Sequence, residues 1–132
     1  MKKSLIALLP LLTACATKSE VLNLPPDSGV KAVYKESYEK VKIAAQHTAL
    51  ELGFKQKQEG MKDEHTYYFY SSQGIGSGTG GRHLRVIIPA GEAERAVYIL
   101  VRSKTESNDN HRTDDLIAQD MHKRIATRLA AK

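Results

Sequence analysis

The only thiol in the chain, Cys15, closes the tetrapeptide Leu12-Thr13-Ala14-Cys15. Ahead of it stand Met1-Lys2-Lys3 and the apolar run from Leu5 to Leu12. A basic start, a short greasy stretch and small residues before a cleavage point make an export signal. A cysteine at that point turns it into the signal of a bacterial lipoprotein. The sulfur is then the nucleophile that takes up the diacylglyceryl group. The leader 1–14 is cut away and the new amino terminus is acylated. A buried thiol and a catalytic nucleophile are the rival readings of Cys15. Neither suits a residue directly behind an apolar leader and ahead of any foldable segment. The leader is too short for a membrane span, which needs about 20 apolar residues, and Pro10 interrupts it.

Other residue types capable of chemistry are present without the spacing that chemistry needs. His47, His65, His83, His111 and His122 form no i, i+4 pair, and a metal site needs three or four converging ligands. Each therefore reads as a surface histidine. Asp114-Asp115 follow Thr113, which reads as a helix N-cap with two carboxylates in the positive first turn. Ser71-Ser72 have no nearby base in sequence, and no nucleophile motif surrounds them. Gly74 to Gly81 resembles a phosphate-binding loop only in its glycines. No Lys-Ser or Lys-Thr follows it, and a strand rather than a helix comes next. Arg82, His83 and Arg85 at its exit form a candidate ligand loop for a small anion or a cell-wall component. No cofactor or metal signature is found, and the chain reads as non-enzymatic.

Size and charge narrow the classes further. Removing 14 of 132 residues leaves one ordinary domain and a tether. With Cys15 lipidated, no disulfide can form within the chain. Lys2 and Lys3 leave with the leader, so the formal charge of +5 falls to +3. That mild excess, with both signs interspersed, suits a solvated surface better than a nucleic-acid groove. Export also argues against a nucleic-acid partner.

The segment 15–30 reads as the lipidated residue and a linker, because Pro25-Pro26, Asp27, Ser28 and Gly29 break any periodicity. A single domain over 31–132 follows. Tyr34, Tyr38, Val41, Ala45, Thr48, Ala49 and Leu52 recur at helical spacing, which predicts a first helix from about Lys31 to Leu52. Gly53 supplies its stop. Strand-like stretches follow over Phe54 to Gln58, His65 to Ser72, Leu84 to Ile88 and Ala93 or Arg95 to Arg102. Ile117, Met121, Ile125 and Leu129 mark a last helix from Thr113 to about Ala130. The expected fold is α+β. It has two layers, with an antiparallel sheet of three to four strands and both helices on one face.

Alternation gives this sheet two apolar faces. One carries Tyr67, Phe69, Leu84, Val86, Ile88, Val97, Ile99 and Val101 in some pairing. The other carries Tyr68, Tyr70, Ile87, Tyr98 and Leu100. Two helices cannot cover both. The second set is therefore a candidate interaction face for an envelope protein or for self-association. Cross-strand aromatic packing explains it equally well.

The lipidation motif, the linker, the stretch VYKESYEKVKIAAQHTALELGF, the strand meander with its glycine loop and the final amphipathic helix resemble a family of small bacterial lipoproteins of uncharacterised function. A looser likeness links the chain to helix-grip domains of outer-membrane assembly lipoproteins. The resemblance implies a lipid anchor at Cys15 and offers no catalytic residue. Ala16 follows the anchor in place of the Asp that retains enteric lipoproteins in the inner membrane. The expected location is therefore the outer membrane, facing the periplasm, with inner-membrane anchoring as the alternative. The expected role is that of an accessory or interaction module.

Overall fold

Among the described residues, eight elements follow one another along the chain. They are α1 (Lys18–Asn23), β1 (Val30–Tyr34), α2 (Tyr38–Glu51), β2 (Lys55–Asp63), β3 (Thr66–Gln73), β4 (Arg82–Pro89), β5 (Arg95–Ser103) and α3 (Asn110–Ala130). This is a computed structural model that describes residues 17–74, 81–91, 93–104 and 110–131, without the side chains of Asn110 and His111. Cys15 and residues 75–80 of the glycine loop lie outside the described residues. The fold is α+β, with one antiparallel sheet in the order β1-β5-β4-β3-β2.

The meander β2 to β5 follows from four stretches joined by short connections. The fifth strand is a correction to the reading of one long helix from Lys31. Residues 30–34 pair antiparallel with β5, from Val30 opposite Ile99 to Tyr34 opposite Arg95. Val30, Ala32 and Tyr34 also alternate with Lys31 and Val33, as a strand requires. The helix starts only after Ser37, whose side chain accepts the Lys40 amide at 3.3 Å as an N-cap. Its other end is as expected. Gly53 has φ of +91°, its N–H bonds to the Leu50 carbonyl, and the Phe54 N–H bonds to the Ala49 carbonyl. That pair of bonds is a Schellman stop, and it needs a residue that tolerates the left-handed region.

Helices α2 and α3 pack on the sheet face built from Tyr67, Phe69, Leu84, Val86, Ile88, Val97, Ile99 and Val101. Val41, Ala45 and Ala49 of α2 and Met121, Ile125 and Leu129 of α3 complete this core. The two helices are tied at their surface by Glu51, which meets Arg124 at 3.4 Å and Arg128 at 3.2 Å. These arginines hold the exposed Glu51 carboxyl below its ordinary range, chiefly through the Arg128 hydrogen bond.

The segment read as a linker is folded from Thr17 onward. Thr17 caps α1 and forms a capping box. Its hydroxyl accepts the Glu20 amide, and the Glu20 carboxylate accepts the Thr17 amide. Val21 of α1 is wholly buried, and α1 packs on β4. Farther on, Gly29 has φ of +105°, and a Cβ there would stand 2.4 Å from the Ile99 carbonyl oxygen. The strap 17–29 therefore lies across the sheet face that α2 and α3 leave open. The architecture is two layers plus a partial third.

Candidate functional site

The open face of the sheet is where the side chains singled out in the sequence come together. Cross-strand pairs place Tyr70, Arg85 and Leu100 in one row, Tyr68, Ile87 and Tyr98 in the next, and Ser72, His83 and Arg102 on the other side. The expected set Tyr68, Tyr70, Ile87, Tyr98 and Leu100 therefore does share one face. Most of it is covered, however. Tyr70, Ile87 and Leu100 are buried, while Tyr68 and Tyr98 are half-buried.

Arg85 explains how the strap is held. Its guanidinium donates to the carbonyls of Val21 at 2.9 Å, Leu24 at 2.7 Å and Pro25 at 2.9 Å. They lie at the helix end and the turn after it, where carbonyls lack helical partners, and the Pro25 carbonyl also accepts the Ser28 amide at 2.9 Å. The side chain is 1% exposed, and its Nε finds no acceptor among the described residues. Burial, and then the neighbouring Arg102 charge, push its pKa below the ordinary arginine value. Beside it the Tyr70 hydroxyl and His83 Nδ1 lie 2.6 Å apart. Burial raises the Tyr70 phenol, against an opposing hydrogen bond with Ser72.

Arg82, His83 and Arg85 do not converge. Strand alternation sends Arg82 to the helix-packed face and the other two to the open face. Arg82 Nε donates to Asp114 Oδ1 at 3.0 Å. The same carboxylate accepts the Ser103 amide at 2.8 Å and the Ser103 hydroxyl at 2.9 Å. Asp114 is thus a buried anchor that fixes α3 to the ends of β4 and β5. This corrects the reading of Thr113 as an N-cap, since the helix already begins at Asn110.

The reading of all five histidines as surface residues also needs correction. His47 and His65 are exposed, whereas His83 and His122 are buried. His122 Nε2 bonds to the Val30 carbonyl at 2.8 Å, which assigns the proton to Nε2. Its Nδ1 then accepts the Tyr34 hydroxyl at 2.8 Å. The ring thereby links α3 to β1. Burial lowers the His122 pKa, partly offset by the Val30 carbonyl. Burial also raises the Tyr34 phenol well above its ordinary value, with Glu36 adding to the effect. The sequence signal for this pair was slight: Tyr34 and His122 stand 88 residues apart.

On the opposite side of the molecule, α2 and α3 border an open groove of about 450 Å³ lined by Lys40, Ile43, Ala44, His47, Arg128 and Leu129, among others. Ile43 and Leu50 of α2 are exposed there or nearby. Among the described residues no three His, Cys, Asp or Glu side chains are grouped to hold a metal ion. Among the same residues no helix is long and apolar enough to cross a membrane. No protein-family model matches the chain, and no curated protein matches it.

Proposed function

We propose that this chain is a lipid-anchored protein of the bacterial envelope, outer-membrane attached and facing the periplasm, that acts as a non-enzymatic accessory or interaction module. One observation carries the reading: the acylation motif Leu12-Thr13-Ala14-Cys15 stands immediately ahead of a capped, folded segment that starts at Thr17. The lipid supplies attachment, since each buried methylene contributes about 0.8 kcal/mol and several acyl chains make it effectively permanent. The domain supplies a rigid body close to that surface. Its buried polar side chains support a module without chemistry of its own. Asp114 and Arg82 close the end of the sheet, His122 and Tyr34 join α3 to β1, and Arg85 holds the strap.

The test is acylation at one sulfur. The protein purified from its native host should have the mass of a chain beginning at Cys15 plus a diacylglyceryl group and an N-acyl group. The Cys15→Ser variant should keep its leader and incorporate no labelled palmitate. An unmodified thiol at Cys15 in the wild-type protein would overturn the proposal.

A further inference from the structure

We infer that the β2–β3 side of the open sheet face is a second membrane contact that rests on anionic phospholipid headgroups. The inference builds on the lipid anchor proposed above. Its premise is distance. Only Ala16 separates Cys15 from the cap residue Thr17. Two residue steps span at most about 7 Å. A headgroup layer is roughly 5–7 Å thick on each side of the hydrocarbon. A sulfur held at the acyl boundary therefore brings the start of α1 into the headgroup layer.

The surface around that point has the matching chemistry. Lys18, the first residue of α1, lies with its Nζ 5.4 Å from the Tyr70 ring centre. Lys62 on β2 lies 6.0 Å from the ring of Tyr68. Lys55 stands opposite Ser72 in the sheet and so shares the same face. All three lysines are exposed, and none forms an ion pair among the described residues. The carboxylates nearby are Glu20 and Asp27 of the strap and Asp63 and Glu64 of the β2–β3 turn. Glu20 is turned to the Thr17 amide, Asp63 to the His65 amide and Glu64 to His65 at 3.8 Å; they keep their charge, and the three lysines act against it. The half-buried Tyr68 adds an amphipathic ring of the kind enriched at membrane interfaces. Basic side chains within a Debye length of an anionic leaflet attract it by about 1 kcal/mol each, which is about fivefold in partitioning per lysine. Lipid and lysines together would fix the orientation of the domain, with the α2–α3 groove turned away from the bilayer.

The chain contains no tryptophan, so a single Trp can report on either side of the molecule. Lipidated protein carrying Tyr68→Trp or Leu50→Trp is reconstituted into phosphatidylglycerol-containing vesicles doped with headgroup-level quencher lipid. The Trp at position 68 should be quenched severalfold more than the Trp at position 50. Combining Tyr68→Trp with Lys18→Gln, Lys55→Gln and Lys62→Gln should bring the two to the same level. So should phosphatidylcholine vesicles. Equal quenching of the two reporters in anionic vesicles would overturn the inference. The lipid anchor is read separately, by vesicle flotation and mass. A Cys15→Ser chain expressed without residues 1–14 carries neither lipid nor leader and keeps the second arm independent of the anchor. Its co-sedimentation with pure phosphatidylglycerol vesicles should fall at least tenfold in the triple lysine variant, and an unchanged value would again overturn the inference.

Discussion

At the scale of single residues, the informative side chains are polar ones with no water around them. Asp114 is 1% exposed and accepts three hydrogen bonds from Arg82 and Ser103. Removing one member of a buried pair leaves the other charge uncompensated and costs about 3–5 kcal/mol. Asp114→Ala is therefore expected to lower unfolding stability in urea by about that amount, through a lower midpoint at nearly constant slope. A paired replacement, Arg82→Met with Asp114→Leu, should recover much of the loss, because it removes the stranded charge. Arg85 behaves differently. It meets carbonyls and no carboxylate among the described residues, so its removal frees one segment rather than the whole fold. Arg85→Met should raise amide hydrogen exchange across 17–29 by at least tenfold while the amides of β4 and β5 stay protected. Uniform loss of protection would mean that the strap and the sheet unfold together.

At the scale of elements, Gly29 decides how the strap joins the sheet. Its positive φ and its approach to the Ile99 carbonyl leave no room for a methyl group. Gly29→Ala is expected to cost about 2 kcal/mol or more, from left-handed strain of roughly 1–2 kcal/mol plus the displaced β5 backbone. Thermal melting of the variant checks it. The same junction marks where the sequence misled. Tyr34, Tyr38, Val41 and Ala45 fit a helical period without a break, yet Tyr34 ends a strand and Tyr38 starts a helix. Both tyrosines reach the core side from different elements, so the periodicity is accidental across Ser37. By contrast Gly53, the α3 stripe and the alternation in β3 to β5 were legible, because each depends on contacts close in sequence. The pairings of Tyr34 with His122 and of Arg85 with Val21 link distant segments and leave no local pattern. The candidate face was readable as a shared side of the sheet. Its cover was not, since a stretch with Pro25-Pro26 and Gly29 gives no periodic sign that it will dock.

At the scale of the whole molecule, the buried imidazole makes closure of the fold sensitive to acid. His122 is held neutral in the folded chain, with its pKa depressed below the ordinary value near 6.5 by burial. In the unfolded chain it takes up a proton as the pH falls through that value. The unfolded state then binds more protons than the folded one, so stability declines as the pH falls. The loss begins below about pH 6.5 and levels off beneath the folded-state pKa. Since the ring bonds α3 to Val30 and Tyr34, protonation strains the contact between the last helix and the first strand. Urea unfolding of wild-type protein should therefore weaken between pH 7.5 and 5. His122→Gln should be less stable at pH 7.5 by about 1–3 kcal/mol, the cost of disturbed buried hydrogen bonds. The gap between the two proteins should narrow toward pH 5, because only the wild type has this proton to take up. The exposed His47 and His65 are common to both proteins and cancel in the difference. A gap that stays constant over the whole range would show that the ring at position 122 does not couple folding to protons.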